Sequence, residues 1–169
     1  MKTIATPTDV RQKGRQMGKI DDNKLQAFIN EVEMTIIRRK LGDELYIQLS
    51  TDDNLSEDLQ TLVDGGNYTI DSKPYLLTGL KTAIAYYVYA QNVLAGDYES
   101  TRYGMRIKDD DYSSVITQKE RSDIAGQATD IADAYLEECL AYCDKKGISY
   151  LNGRSMRITS GCVIHKVSL

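Results

Sequence analysis

Apolar residues recur every three or four positions in several stretches of the chain, and short polar stretches with glycine separate them. In the first stretch, one helical face carries Leu25, Phe28, Ile29, Val32 and Ile36. Asn23 is the candidate N-cap, with Gln26 three residues later. Gly42 predicts the end of this helix, and Asp43 and Glu44 suit the start of the next one. The pattern therefore predicts a helical hairpin over residues 25–49.

Two more helices are predicted in the middle of the chain. Asn54 and Glu57 have the spacing of a capping box, and a short apolar face follows before Gly65 and Gly66: Leu55, Leu59, Leu62 and Val63. A longer helix is predicted from Ser72 and Pro74 to a stop at Gly96, with an apolar stripe of Leu77, Leu80, Ile84, Tyr87, Val88 and Leu94. Alanines widen this stripe, which is typical of a central helix.

Tyr86 and Tyr89 lie at the edge of that stripe. Aromatic side chains contribute a large contact area to interfaces, so both are candidates for contact between subunits. Packing within the core of their own chain is the alternative for each of them.

The last third of the chain contains one long helical pattern. Residues 96–112 are polar and irregular. Thr117 and Glu120 form a candidate capping box for the final helix, which runs to Gly147 with an apolar face of Ile124, Ala128, Ile131, Tyr135, Cys139 and Tyr142. Beyond it, Val163, His165, Val167 and Leu169 alternate with other residues as in a β-strand.

These patterns predict a mainly α protein, a bundle of about four to five helices. Residues 1–20 read as an extended N-terminal arm, loose until something binds it, residues 21–147 as the helical bundle domain, and residues 148–169 as a C-terminal docking tail with strand-like character. The length of 169 residues suits one domain.

The charge is divided by position along the chain. Residues 1–20 and 144–169 each carry a net charge of +4, whereas residues 21–143 carry −12. Basic ends on an acidic body suit docking on acidic protein or nucleic acid. Solvated lysine-rich ends with no partner are the alternative interpretation.

Signatures of catalysis and of metal binding are weak. His165 is the single histidine of the chain, so a catalytic triad would have to rest on the tail. Cys162 lies near His165 and Cys139 near Cys143, but these two pairs make a poor zinc signature. Asp109, Asp110 and Asp111 lack the other ligands of a calcium loop, and no nucleotide-binding glycine motif occurs. We therefore expect no enzyme activity, no metal and no cofactor.

Composition also bears on the compartment. Three cysteines, an odd number, and the lack of a signal-like segment indicate a reducing, non-secreted setting. No apolar run approaches the ~20 residues that span a bilayer, so no membrane association is expected.

The succession of elements resembles the head-to-tail adaptor (connector) proteins of tailed bacteriophages, in particular those of crAss-like gut phages. Over about residues 20–145, the resemblance is carried by LQAFINEVEMTIIRRKLGDELYIQL, KPYLLTGLKTAIAYYVYAQNVLAG, TRYGMRIKDDDYSSVITQKE and the helix that ends AYLEECLAYC. The C-terminal extension GISYLNGRSMRITSGCVIHKVSL departs from the pattern.

The resemblance implies a structural virion protein at the head-tail interface. Such adaptors are helical bundles that form a ring beneath the portal, a dodecamer, and so lengthen the DNA channel and provide a platform for the next ring or tail component. A terminal arm of these proteins docks on the portal, and DNA passes through the channel without sequence-specific binding.

Two sets of contact residues follow as hypotheses. The tail is expected to contact the portal through Arg154, Arg157, Ile158, Val163, His165 and Lys166. A loop is expected to touch a neighbouring subunit or the next ring through Arg102, Tyr103, Arg106 and Lys108.

Two other classes of function stay open. A small DNA-binding regulator would use a basic helix, and Arg38, Arg39 and Lys40 form a dense cluster, although it lies beside Asp43 and Glu44. An uncharacterised enzyme would need a pocket of convergent polar groups.

Overall fold

The protein is mainly α-helical, as the periodicity predicts. The computed structural model describes residues 2–18, 20–52, 54–95, 98–101, 104–107 and 117–150, with backbone alone for 98–101 and 104–107. The elements in chain order are α1 (Pro7–Lys13), α2 (Asp22–Val32), a π-helical turn (Glu33–Ile37), α3 (Arg38–Leu41), α4 (Asp43–Thr51), α5 (Glu57–Asp64), β1 (Gly66–Ile70), β2 (Lys73–Leu77), α6 (Leu80–Ala95), β3 (Tyr98–Thr101), β4 (Gly104–Ile107) and α7 (Gln118–Lys146).

The predicted helical hairpin is present, with one change of phase. The first helix ends at Leu41, Gly42 has φ +82°, and α4 begins at Asp43. Asp21 is the N-cap of α2, where Asn23 was predicted, and its carboxylate accepts a hydrogen bond from the Asn23 amide at 3.1 Å. The π-helical turn inserts one residue into the helical repeat, so Ile37, five residues after Val32, is buried. Ile36 is only partly buried.

The helix predicted after Asn54, which is α5, begins two residues later than predicted. Ser56 is the N-cap of α5, and its hydroxyl accepts from the Leu59 amide. Asn54 is therefore not the cap. The predicted face is otherwise correct, because Leu59, Leu62 and Val63 are buried.

A β-hairpin replaces the predicted first turns of the central helix. β1 and β2 pair antiparallel from Gly66 with Leu77 to Ile70 with Lys73, and α6 begins only at Leu80. Asp71 and Ser72, with φ values of +49° and +64°, form the two-residue turn. Positive φ at both central residues is what a type I′ hairpin turn requires. Pro74 is compatible with β2 because a strand at the edge of a sheet tolerates a missing amide donor.

The stretch predicted to be irregular contains a second hairpin. β3 and β4 pair antiparallel from Tyr98 with Ile107 to Thr101 with Gly104. Residues 108–116 lie outside the described part of the chain.

The core centres on the packing of α7 along α6, which is the most extensive contact between two of the described elements. Thr117 and Glu120 form the predicted capping box, and Gly147 ends α7 in the left-handed conformation. The buried face of α7 is displaced by one residue at several positions, to Ala125, Ala128, Ala132, Leu136, Cys139, Tyr142 and Cys143. Leu94, predicted to belong to the apolar stripe, is 49% exposed at the end of α6.

The N-terminal region is packed, which corrects the expectation of a loose arm. Thr6 and Asp9 form a capping box with Pro7 at the first position of α1. Ile4, Ala5 and Val10 are buried in the main core, and α1 packs on α6. The helical bundle therefore includes residues that the sequence pattern had assigned to an arm.

Candidate functional site

Most of the predicted contact residues lie outside the described part of the chain. This holds for all six tail positions, Arg154, Arg157, Ile158, Val163, His165 and Lys166, and for Arg102, Tyr103 and Lys108 of the loop. Arg106 belongs to β4, of which the structure describes the backbone. The portal and loop contacts therefore stay predictions.

Tyr86 and Tyr89 form a described cluster on α6. The guanidinium carbon of Arg15 lies 5.9 Å from the ring centre of Tyr86 and 5.6 Å from that of Tyr89, which is cation–π geometry. Tyr135 of α7 meets Tyr86 edge to face at 5.4 Å between ring centres. Both predicted tyrosines thus contact their own chain and are only partly buried; a further contact with a neighbouring subunit stays a prediction.

Glu33 forms a buried polar centre that the sequence analysis did not single out. It lies at the start of the π-helical turn and is fully buried. Its carboxylate accepts hydrogen bonds from the amides of Ile4 (3.1 Å) and Ala5 (2.9 Å) and from the Tyr46 hydroxyl (2.9 Å). One side chain thus connects the N-terminus, the π-helical turn and α4.

The surroundings of the Glu33 carboxylate indicate that it holds the N-terminus in place. Burial raises the pKa of Glu33, although its three donors oppose the shift. Burial, followed by the nearby Glu33 carboxylate, also raises the pKa of Tyr46. Both carboxylate oxygens are occupied by donors of the chain itself, so the arrangement holds the N-terminus in place. Its spacing could have revealed this centre in the sequence. Glu33 lies four residues after Ile29, in line with the apolar face of α2.

A second polar connection holds α1 against α5 and α6. The Lys81 ammonium nitrogen lies 2.8 Å from the Asp64 carboxylate and 3.4 Å from that of Asp9. Lys13 donates to the Asp64 carbonyl at 2.8 Å. Because these side chains are partly buried, the pairs are screened less by solvent than exposed pairs are.

The β1–β2 hairpin has two different faces. On the inner face, Tyr68 stacks on Tyr75 at 5.3 Å and meets Tyr142 edge to face at 4.7 Å. The Lys145 ammonium nitrogen lies 4.4 Å from the centre of the Tyr75 ring. These contacts fix the hairpin against the end of α7.

The outer face of this hairpin is exposed and uncharged. The pairing register places Asn67 beside Leu76 and Thr69 beside Pro74 on this face. Leu76 is 70% exposed, more than any other large apolar side chain in the described part of the chain. This outer hairpin face (Asn67, Thr69, Pro74 and Leu76) is the candidate interaction surface of the described residues.

The described residues show no group of three or more His, Cys, Asp or Glu side chains placed to hold a metal ion. Cys139 and Cys143 are free, buried thiols, and burial raises the pKa of each to about 12. Their thiolate forms are therefore scarce near neutral pH. Within the same residues, no helix has the length and hydropathy to cross a membrane.

Comparison with known proteins places the chain in a family. A model described as a family of unknown function, DUF6712, matches residues 37–152, which is more than half of the chain. The chain belongs to this family. No curated protein and no solved structure matches it. The DUF6712 match extends from the last residue of the π-helical turn through α7, so it includes Tyr46, the outer hairpin face, Tyr86 and Tyr89.

Proposed function

We propose that this protein is a structural subunit of a phage particle, a head-to-tail adaptor that forms a ring beneath the portal. The ring, a dodecamer as in the adaptors that the chain resembles, extends the DNA channel and carries the next ring or tail component. The succession of sequence segments supports this proposal, and the mainly α bundle is the fold that the resemblance implies.

The observation that carries the proposal is the outer hairpin face. Exposed apolar area that is held rigidly is typical of surfaces that become buried on assembly. The tyrosine contacts of the inner face fix the hairpin to α7, so Leu76 and Pro74 form a preformed surface with no charge to desolvate.

The charge of the long helix also supports a channel subunit. Along its exposed side, α7 carries Asp123, Asp130, Asp133, Glu137 and Asp144. Phosphate binding strengthens with each lysine or arginine contact, so an acidic surface lets DNA pass without gripping it. In this proposal DNA is cargo in the channel and is not bound in a sequence-specific way.

The tail is the proposed portal contact, with Arg154, Arg157, Ile158, Val163, His165 and Lys166 as its docking residues. We expect the full chain to co-sediment near stoichiometrically with the portal ring encoded beside it. A version that ends at Tyr150 should lose this binding. Because Ile148 and Tyr150 still pack on the core, the shortened chain keeps its described core contacts and serves as a folded comparison.

The two chains separate three outcomes of this experiment. Binding by the full chain alone supports both the adaptor role and the tail contact. Binding by both keeps the adaptor role and excludes the tail as the docking site. If neither chain binds, the adaptor proposal is wrong.

The loop is the proposed contact with a neighbouring subunit or the next ring. We expect charge reversal at Arg102, Arg106 and Lys108 to reduce ring assembly, measured as mass by light scattering, because charges at an interface favour the correct partner. Charge reversal at Arg39 and Lys40, exposed on α3, is the matched control. Unchanged ring mass after the loop reversal would contradict this contact.

The DNA-binding regulator gains little support from the described residues. The Nε of Arg38 lies 2.6 Å from the Asp43 carboxylate, so part of the basic cluster on α3 is paired within the chain. This pairing reduces the charge available for phosphates.

A further inference from the structure

The N-terminal segment, residues 2–15, docks in a site built entirely by the rest of the chain. At its start, the amides of Ile4 and Ala5 donate to Glu33. In its middle, Val10 is fully buried and Asp9 faces Lys81. The site therefore recognises two successive backbone amides followed by one short capped helix.

Charge complementarity supports the match between the segment and its site. The segment carries four basic residues and one acidic residue, whereas residues 21–143 carry −12. Lys13 donates to the Asp64 carbonyl, and Arg11 pairs with Asp22. Every one of these acceptors lies in the body of the chain, so the same segment of another copy would find the same partners.

The connection between segment and body permits an exchange. Gly14 packs tightly, since a Cβ there would lie 3.2 Å from the Ala85 Cβ. After it, Gln16 and Gly18 are exposed, while Met17 and Ile20 are partly buried against the core, and a Cβ at Gly18 would meet nothing within 4 Å. Glycine adopts many backbone conformations at little steric cost. Residues 16–21 can span about 20 Å when extended.

An N-terminal segment that leaves its own site without entering the site of another copy is energetically unfavourable. It would remove the Ile4 and Ala5 amides from the Glu33 carboxylate and leave the Tyr46 hydroxyl as the remaining donor of this centre, and lost hydrogen bonds to a buried carboxylate are costly. Exchange of identical elements between subunits restores every contact and is a low-cost route to oligomers.

We propose that the N-terminal segment is exchanged between copies, so that residues 2–15 of one chain occupy the Glu33–Lys81 site of its neighbour in the ring. The proposal rests on the self-association that the adaptor function requires, but not on the presence of a portal or a virion. It makes the segment and its site a second proposed interface between copies, in addition to the loop contact.

Two complementary variants of the full chain test this exchange. The first, Asp9→Asn, keeps Lys81, and the second, Lys81→Arg, keeps Asp9. A carbodiimide joins a carboxylate to a lysine amine in direct contact but does not join it to an arginine. When the two variants are co-expressed, a Lys81–Asp9 bond can therefore form only between different chains. The Lys81–Asp64 bond within the first variant controls for the coupling chemistry, because that pair lies at 2.8 Å.

We expect the co-expressed variants to give the Lys81–Asp9 linked peptide at about a quarter of the wild-type yield, since random assortment pairs the two intact groups at that frequency. Each variant alone should give none. In the wild type, the same bond should join chains into multimers on a denaturing gel.

Three results would overturn the proposal, and one would support it. A ring whose co-expressed variants lack the Lys81–Asp9 bond while Lys81–Asp64 forms excludes exchange and leaves the adaptor function standing. A wild-type bond that leaves all chains monomeric on the gel excludes exchange without any variant. A chain that never self-associates excludes both exchange and the ring, whereas the mixed bond supports exchange even if the portal does not bind.

Discussion

The Glu33→Ala variant is expected to lose about 3 kcal/mol of unfolding free energy and to release the N-terminal segment. The substitution removes the acceptor of the Ile4 and Ala5 amides and of the Tyr46 hydroxyl, and a buried donor without an acceptor is costly. Urea denaturation measures the first effect. Hydrogen exchange of the Ile4 and Ala5 amides measures the second, and both amides should exchange far faster than in the wild type.

Glu31→Ala is the matched control for this prediction. Glu31 lies two residues earlier on the same helix, and its side chain is exposed. The control should stay within about 0.5 kcal/mol of the wild type. Equal stability losses for Glu33→Ala and Glu31→Ala would show that the buried carboxylate does not hold the segment.

The pH dependence of the Glu33→Ala effect has a definite sign. The pKa of Glu33 is raised by burial above its ordinary value of 4.5, so the folded chain binds this proton more tightly than the unfolded chain does. The part of the Glu33 contribution that depends on its proton is therefore present below pH 4.5 and is lost as the pH rises through the pKa of the folded state. The wild type should exceed Glu33→Ala by more near pH ~4 than near pH ~7.

Local sequence signals predicted much of the helical framework. Gly42 and Gly147 end helices where predicted, and the capping box of Thr117 and Glu120 begins α7. These signals work because each depends on backbone groups within a few residues of the signal itself. The phase of the apolar face was predicted less well in the first helix, since the π-helical turn shifts it beyond Val32 and has no local marker in the sequence.

The N-terminal segment and the first hairpin were missed for two different reasons. Thr6, Pro7 and Asp9 carried a readable capping signal, but the few apolar residues around them did not suggest a buried helix. In the hairpin, Pro74 was read as a helix start, and the two-residue turn at Asp71 and Ser72 lacks the glycine that usually marks such turns.

The candidate site depended most on contacts between distant parts of the chain. Glu33 meets Ile4 and Ala5 across 29 and 28 positions of the sequence. Its place on an apolar face was visible, but its partners were not, because nothing local links the N-terminus to the π-helical turn. The outer hairpin face likewise became recognisable only when the register placed Leu76 and Pro74 on the side away from α7.

Gly79→Ala is expected to lower the unfolding free energy by about 3–5 kcal/mol, combining a left-handed backbone penalty with overpacking. Gly79 has φ +89°, and a Cβ there would lie 2.3 Å from the Gly65 nitrogen and 2.6 Å from the Asp64 carbonyl carbon. Neither neighbouring atom can rotate away, because both belong to the backbone where α5 ends and the hairpin begins. Urea denaturation followed by circular dichroism measures the loss, and amides of residues 66–77 should exchange faster as the hairpin loosens.

Gly126→Ala separates this packing effect from the general consequence of replacing glycine. Gly126 lies in α7, is exposed, and would place its Cβ in open space. Alanine is favoured over glycine within a helix by about 1 kcal/mol, so this control should be more stable than the wild type. Opposite signs for the two substitutions would show that backbone contact between Gly79 and Gly65 fixes the base of the hairpin. A Gly79→Ala chain as stable as the wild type would instead mean that the tyrosine contacts of the inner face hold the hairpin without this close approach.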